Sequence, residues 1–126
     1  QAAHVLDTLG WLRFKQGRAE ESLALLVEAA GQAAEPSPEI FDHLGDAFLA
    51  VGDTASARSA WSKAKYILDN PAHRTAAIEG IQSLAHSIWG MSVVTPEAVY
   101  DLEFGDVQRR VDEKLASIWT QGKETH

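Results

Sequence analysis

The feature that most constrains this chain is a pattern that returns after 35 residues. Leu9-Gly10 recurs as Leu44-Gly45, Gly17 as Gly52, Leu26 as Trp61 and Ala29 as Ala64, all at that one interval. Four matches in a single register mean two copies of one structural unit, and each copy buries its apolar face only by stacking on a neighbour. Inside each unit the apolar spacing is helical. Phe41, Leu44, Phe48 and Val51 follow at steps of three and four, then comes Gly52-Asp53, then Ala57, Trp61 and Ala64. A helix, a tight turn and a second helix account for every position. Gly10, Gly45, Ala29 and Ala64 are small where two helices must approach closely, and Gly17 and Gly52 close the last turn of the first helices.

Helix starts are equally legible. Ser37-Pro38, Asn70-Pro71 and Thr95-Pro96 each pair a capping side chain with proline at the first helical position, where the missing N–H costs nothing. Asp53 and Asp106 follow glycines and are expected to cap in the same way. These signals predict helices at about 2–16, 19–33, 38–51, 54–69, 71–89, 96–102 and 106–120. Only Met91 to Val94 offers a strand candidate, so the fold class is all-α.

The second unit, with Phe41, Leu44, Gly45, Phe48, Ala57, Trp61 and Ala64, resembles a tetratricopeptide repeat. The first resembles it through Leu6, Leu9, Gly10, Ser22, Leu26 and Ala29, with Arg13 where the family has an aromatic residue. The resemblance covers residues 3–70, as repeats 3–35 and 37–70. It implies a right-handed helical-repeat solenoid of about three hairpins. In residues 71–89, Ile81, Leu84, Ala85 and Ile88 reproduce the spacing of a first helix. Residues 71–120 therefore read as a divergent third repeat or cap, with an insertion at about 90–105 and Val111, Leu115 and Ile118 as its second helix.

Composition limits the function. The 126 residues are 45% hydrophobic, without Cys, and carry 11 Lys and Arg against 18 Asp and Glu for a net charge of −7. That describes one globular domain with no thiol chemistry, and it argues against a nucleic-acid or anionic-membrane surface. The longest stretch free of charge, between Glu79 and Glu97, is too short and too polar to span a bilayer. The opening Gln1 suits a trimmed or mature form or a piece of a longer protein, and cytoplasmic and periplasmic compartments both stay open.

The residues offer little for catalysis. His4, His43, His73, His86 and His126 form no zinc-protease pair, and no phosphate loop or nucleophile elbow is present. Glu39 and His43 stand one helical turn apart, as do Asp42 and Asp46, so a carboxylate and imidazole could share a cation and a metal-dependent activity at Glu39, His43 and Asp46 is the weakest alternative. Solvated positions on an amphipathic helix are the expected reading, since metal sites on helices usually recruit a second helix. No cofactor, resident metal or reaction is expected.

The resemblance implies instead a protein–protein interaction or scaffold role, of the kind found in bacterial assemblies, with a partner's peptide or helix held in a concave groove. The family's groove positions fall on His4, Asp7, Trp11, Phe14 and Lys15 in the first unit and on Glu39, Asp42, Asp46 and Leu49 in the second, with His43 at the flank. Some family members clamp a terminal carboxylate with basic side chains there. Here Asp7 and Glu39 stand in those places and would repel it. An acidic groove containing Trp11 favours a basic peptide. The apolar run Ile88, Trp89, Met91, Val93, Val94, Tyr100, Leu102 and Phe104 is expected to fold back and close the array. Its alternative is an exposed interface at Trp89, Met91, Val93, Tyr100 and Phe104 that makes the module a homo-oligomer. Val107, Val111, Leu115 and Ile118 form the apolar stripe of the last helix, with Asp106, Arg109, Arg110, Glu113 and Lys114 on its solvated sides. Trp61 is core by its repeat position, and Trp119 lies near the end of that last helix.

Overall fold

The computed structural model describes the backbone of residues 2–89 and 95–124, and side chains from 2 to 83 and from 95 to 118 apart from Pro96. Within these limits the chain is all-α, with α1 (Ala2–Lys15), α2 (Ala19–Gln32), α3 (Pro38–Ala50), α4 (Thr54–Asp69), α5 (Pro71–Trp89) and α6 (Pro96–Glu124). The strand candidate at Met91 to Val94 lies outside the described residues.

The two hairpins turn identically. Gly17 and Gly52 adopt φ of 79° and 89°, a left-handed conformation in which a side chain would be strained. Each turn then closes with the same pair of bonds. Arg18 N–H donates to the Arg13 carbonyl and Asp53 N–H to the Phe48 carbonyl, both at 2.9 Å, while each glycine N–H reaches back three residues. The expected caps form as well. Ser37, Asp53, Asn70 and Thr95 accept from the backbone N–H of Ile40, Ser56, Ala72 and Ala98.

Close approach is enforced by Gly45, where a Cβ would overlap the indole of Trp61. Gly10 does the same for Leu26, whose Cγ would stand 2.8 Å from an added Cβ. One apolar cluster joins α2 to α3 through Leu26, Ala29, Ile40, Leu44 and Ala47. A second joins α4 to α6 through Ala57, Trp61, Ala64, Leu68, Val107, Val111 and Ile118.

The third unit departs from the sequence expectation. Helices at 96–102 and 106–120 are instead one continuous helix, α6, so Gly105-Asp106 is neither a stop nor a cap and residues 96–105 are not an irregular insertion. Asp106 is occupied by Arg109 at 3.0 Å, a bond between helical neighbours. The sequence pattern placed α5 beside α4 as a first helix; the buried residues packed on α4 come from α6, and none of the described members of that cluster is on α5. Gln108 bonds Asp69 and Lys65 bonds Asp112, so α6 runs antiparallel to α4. Arg110 reaches Asp42 and Lys114 reaches Asp46, so it runs parallel to α3.

The paired core stripe of Leu9 and Leu44 holds only in part. Leu44 is 5% exposed under α2, whereas Leu9 is 40% exposed because no described helix lies on that side of α1.

Candidate functional site

α1, α3 and the second half of α6 lie side by side, and the polar residues singled out by the sequence fall on the faces that they share. On α1 and α3 they form one cluster. The Asp7 carboxylate, 8% exposed, lies 2.7 Å from His43 Nδ1. The His43 ring stacks on Trp11 with centroids 4.3 Å apart, and Trp11 stacks in turn on Phe14 at 4.9 Å and 8°. The Lys15 ammonium stands 4.9 Å from the Trp11 ring centroid, within cation–π range. A single histidine thus ties α1 to α3 through a hydrogen bond on one atom and ring contact on its face. His4 is on the same helix, and its carbonyl accepts from the Thr8 hydroxyl.

The second cluster joins α3 to α6. Asp42 is 1% exposed, and Lys114 donates to it at 2.7 Å with Arg110 at 3.4 Å. Lys114 also stands 2.9 Å from Asp46 and 5.8 Å from the Trp61 ring centroid. The two carboxylates therefore do not form an open acidic surface: the basic edge of α6 covers them. Leu49 is 45% exposed and lines a shallow pocket of about 210 Å³ with Trp61, Lys114, Ser117 and Ile118.

Glu39 sits between the clusters. Burial pushes its carboxyl above the ordinary 4.5, and Glu103 and Asp7 push in the same direction, against the pull of His43 and Arg110. Asp46 is likewise raised from 3.8, because burial outweighs the hydrogen bond and charge of Lys114. Both shifts mark carboxylates crowded by like charge in a partly dry setting.

Arg110 and Lys114 were assigned to a solvated side of the last helix, and their role was missed together with that of Glu103. The available signal was spacing. Arg110 and Lys114 are four residues apart, as are Asp42 and Asp46, so two complementary pairs match across a helix contact. Tyr100 and Phe104, expected in an insertion that folds back to close the array or, as the alternative, at an exposed interface, belong to α6 and pack toward α5. Tyr100 is 6% exposed with its ring 4.7 Å from that of Phe104, and His73 of α5 packs edge-on against both. Met91 and Val93, with the side chain of Trp89, lie outside the described residues.

Glu39, His43 and Asp46 do not converge on one point. Among the described residues no group of three or more His, Asp or Glu side chains is placed to hold a metal ion. No described helix is long and apolar enough to cross a membrane. Comparison of the chain with protein-family models, with curated proteins and with solved structures finds no match in any of the three.

Proposed function

We propose that this chain is a protein-interaction module, similar in build to tetratricopeptide repeats, that receives a basic peptide or helix of a partner along the face shared by α1 and α3. The observation that carries the reading is the stack of Phe14, Trp11 and His43. Three rings held against one another, half-buried and already fixed by the bond from His43 to Asp7, form a rigid aromatic platform that a ligand meets without ordering it first. Glu39 beside it, with Glu103 close enough to raise its carboxyl, supplies negative charge for an Arg or Lys of the partner. Asp42 and Asp46 set no preference for an outside ligand in this reading, since Lys114 already neutralises them. The repeat architecture is supported by α6, which stands to α3 as α3 stands to α1. No reaction is part of the proposal.

The test is selection of a random peptide library on the immobilised chain, followed by calorimetry of the selected peptides against wild type, Trp11→Ala and Glu39→Lys. Arg- or Lys-rich peptides are expected, with Trp11→Ala weakening them by about tenfold or more, the usual loss at an aromatic hot spot. Failure to select any saturable binder, or equal affinity for all three proteins, overturns the proposal.

A further inference from the structure

The second helices of the two hairpins, α2 and α4, flank α3 without touching one another. On α2, Val27, Glu28 and Gly31 are exposed, and so are the residues 35 positions later on α4, Ser62, Lys63 and Tyr66. Steps of three and four keep each triplet on one side of its helix. Because the hairpins are copies of one unit, both triplets turn the same way. An apolar furrow of about 280 Å³ opens along α4, floored by Phe41, Leu44 and Phe48 of α3 with Lys63 on its wall.

The two triplets are opposite in kind. Glu28 stands where α4 has Lys63, Val27 where it has Ser62, and Gly31 where it has Tyr66. Acid thus answers base, and a large side chain answers a small one twice. Tyr66 is 74% exposed, while the space that a Cβ on Gly31 would enter is empty to 4 Å. The charges are also unanswered. Glu21 of α2 is met by Arg13 and Arg18, and Lys65 of α4 by Asp69 and Asp112. Glu28 and Lys63 have no ion-pair partner among the described residues, and the Lys63 ammonium rests 5.3 Å from the Phe41 ring centroid.

We infer that this face binds a second copy of the chain about a two-fold axis parallel to the helices. That axis lays α2 of each copy along α4 of the other, in the same direction and at matching heights. Glu28 of one copy then meets Lys63 of the other, and Tyr66 enters the space beside Gly31, each contact occurring twice. A two-fold axis across the helices would instead set α2 on α2 and acid on acid. The face belongs to the second helix of each hairpin and is separate from the Trp11 face of α1 and α3.

The test is sedimentation equilibrium of the full chain at low salt and up to about 1 mM, for wild type, Glu28→Lys, Lys63→Glu and the double variant. Wild type is expected to dimerise, and each single variant to weaken association by at least about tenfold. The double variant, which exchanges acid and base, should restore it. An equimolar mixture of the two single variants should form dimers that neither forms alone, since every Glu28–Lys63 contact then pairs opposite charges. All four positions of charge are exposed, and circular dichroism checks that helicity is unchanged. Wild type that stays monomeric, dimers indifferent to both single changes, or a double variant that associates no better than either single one overturns the proposal.

Discussion

Lys114 donates to Asp42 across 2.7 Å although 72 residues separate them, and that contact holds the last helix against the second hairpin. The carboxylate is 1% exposed, so it has no water to fall back on if the ammonium is removed. Breaking one side of such a buried pair leaves an uncompensated charge and costs about 3–5 kcal/mol. Lys114→Met is expected at the lower end of that range, because Arg110 at 3.4 Å keeps part of the compensation. Asp42→Asn with Lys114→Met should cost less than the sum of the two single changes, since the pair is lost only once. Urea denaturation of the four proteins measures this; additivity would show that the two groups do not interact.

Gly45 and Gly10 occupy equivalent positions, but their neighbours differ. A Cβ at Gly45 meets the indole of Trp61, a rigid ring 2% exposed, while one at Gly10 meets Cγ and Cδ2 of Leu26, a side chain that is fully buried but can turn about its own bonds. A ring cannot rotate out of the way without moving a helix. Gly45→Ala should therefore cost about 3 kcal/mol or more and Gly10→Ala about 1–2 kcal/mol, with the order of the two as the decisive reading from denaturation midpoints.

The starts of α3, α4 and α5 were legible because their caps, Ser37, Asp53 and Asn70, are local chemistry, and the turns after α1 and α3 because each needs a glycine with positive φ. α2 follows Arg18 without a side-chain cap and is legible only from the repeat. The third unit was not. Ile81, Leu84, Ala85 and Ile88 match a first helix in spacing, but Val111, Leu115, Ala116 and Ile118 match Ile40, Leu44, Gly45 and Ala47 as well, at a shift of 71 residues, about twice the repeat. Local periodicity does not choose between two such candidates; the charges of Arg110 and Lys114 opposite Asp42 and Asp46 do. The acidic groove expected from the positions of Asp7, Glu39, Asp42 and Asp46 is answered in part within the chain, since Lys114 and Arg110 pair with Asp42 and Asp46, a fact that depends on tertiary pairing alone.

Ser22 is 0% exposed, and its hydroxyl has no hydrogen-bond partner among the described residues. Ala57, 35 residues later, fills the same place without a polar atom and is also fully buried. Desolvating an unpaired hydroxyl costs about 1–3 kcal/mol, and alanine is the better helix former. Ser22→Ala is thus expected to stabilise the chain by about 1 kcal/mol, or roughly 3 °C in Tm. A loss of stability in calorimetry would show that the hydroxyl is bonded in solution.

The raised carboxyl of Glu39 makes a pH-dependent prediction whose sign is fixed. A group with folded pKa above its ordinary 4.5 binds its proton more tightly in the folded state, so its favourable contribution is complete below 4.5 and lost as pH rises through the folded value. At pH 7 the ionised carboxylate opposes folding through lost hydration and repulsion from Glu103 and Asp7. Glu39→Gln should raise Tm at pH 7 by roughly 2 °C, and the two melting curves should converge below pH 4.5. Divergence that grows on acidification would reverse the assignment.

Gly105 decides whether α6 is one helix. A stop at this glycine, the reading that Gly105-Asp106 suggests in the sequence, would need the left-handed backbone in which alanine is strained. In the structure its φ is not positive, it lies nine residues beyond Pro96, where the helix begins, and a Cβ there meets nothing within 4 Å. Glycine in an open helix interior costs about 1 kcal/mol relative to alanine, chiefly through the freedom of the unfolded chain. Gly105→Ala is therefore expected to stabilise by about 0.5–1 kcal/mol and to slow amide exchange on both sides of residue 105. Destabilisation with faster exchange at 96–104 would mean that the helix breaks there, and would detach the packing of Tyr100 and Phe104 on His73 from the anchoring of α6 by Asp42.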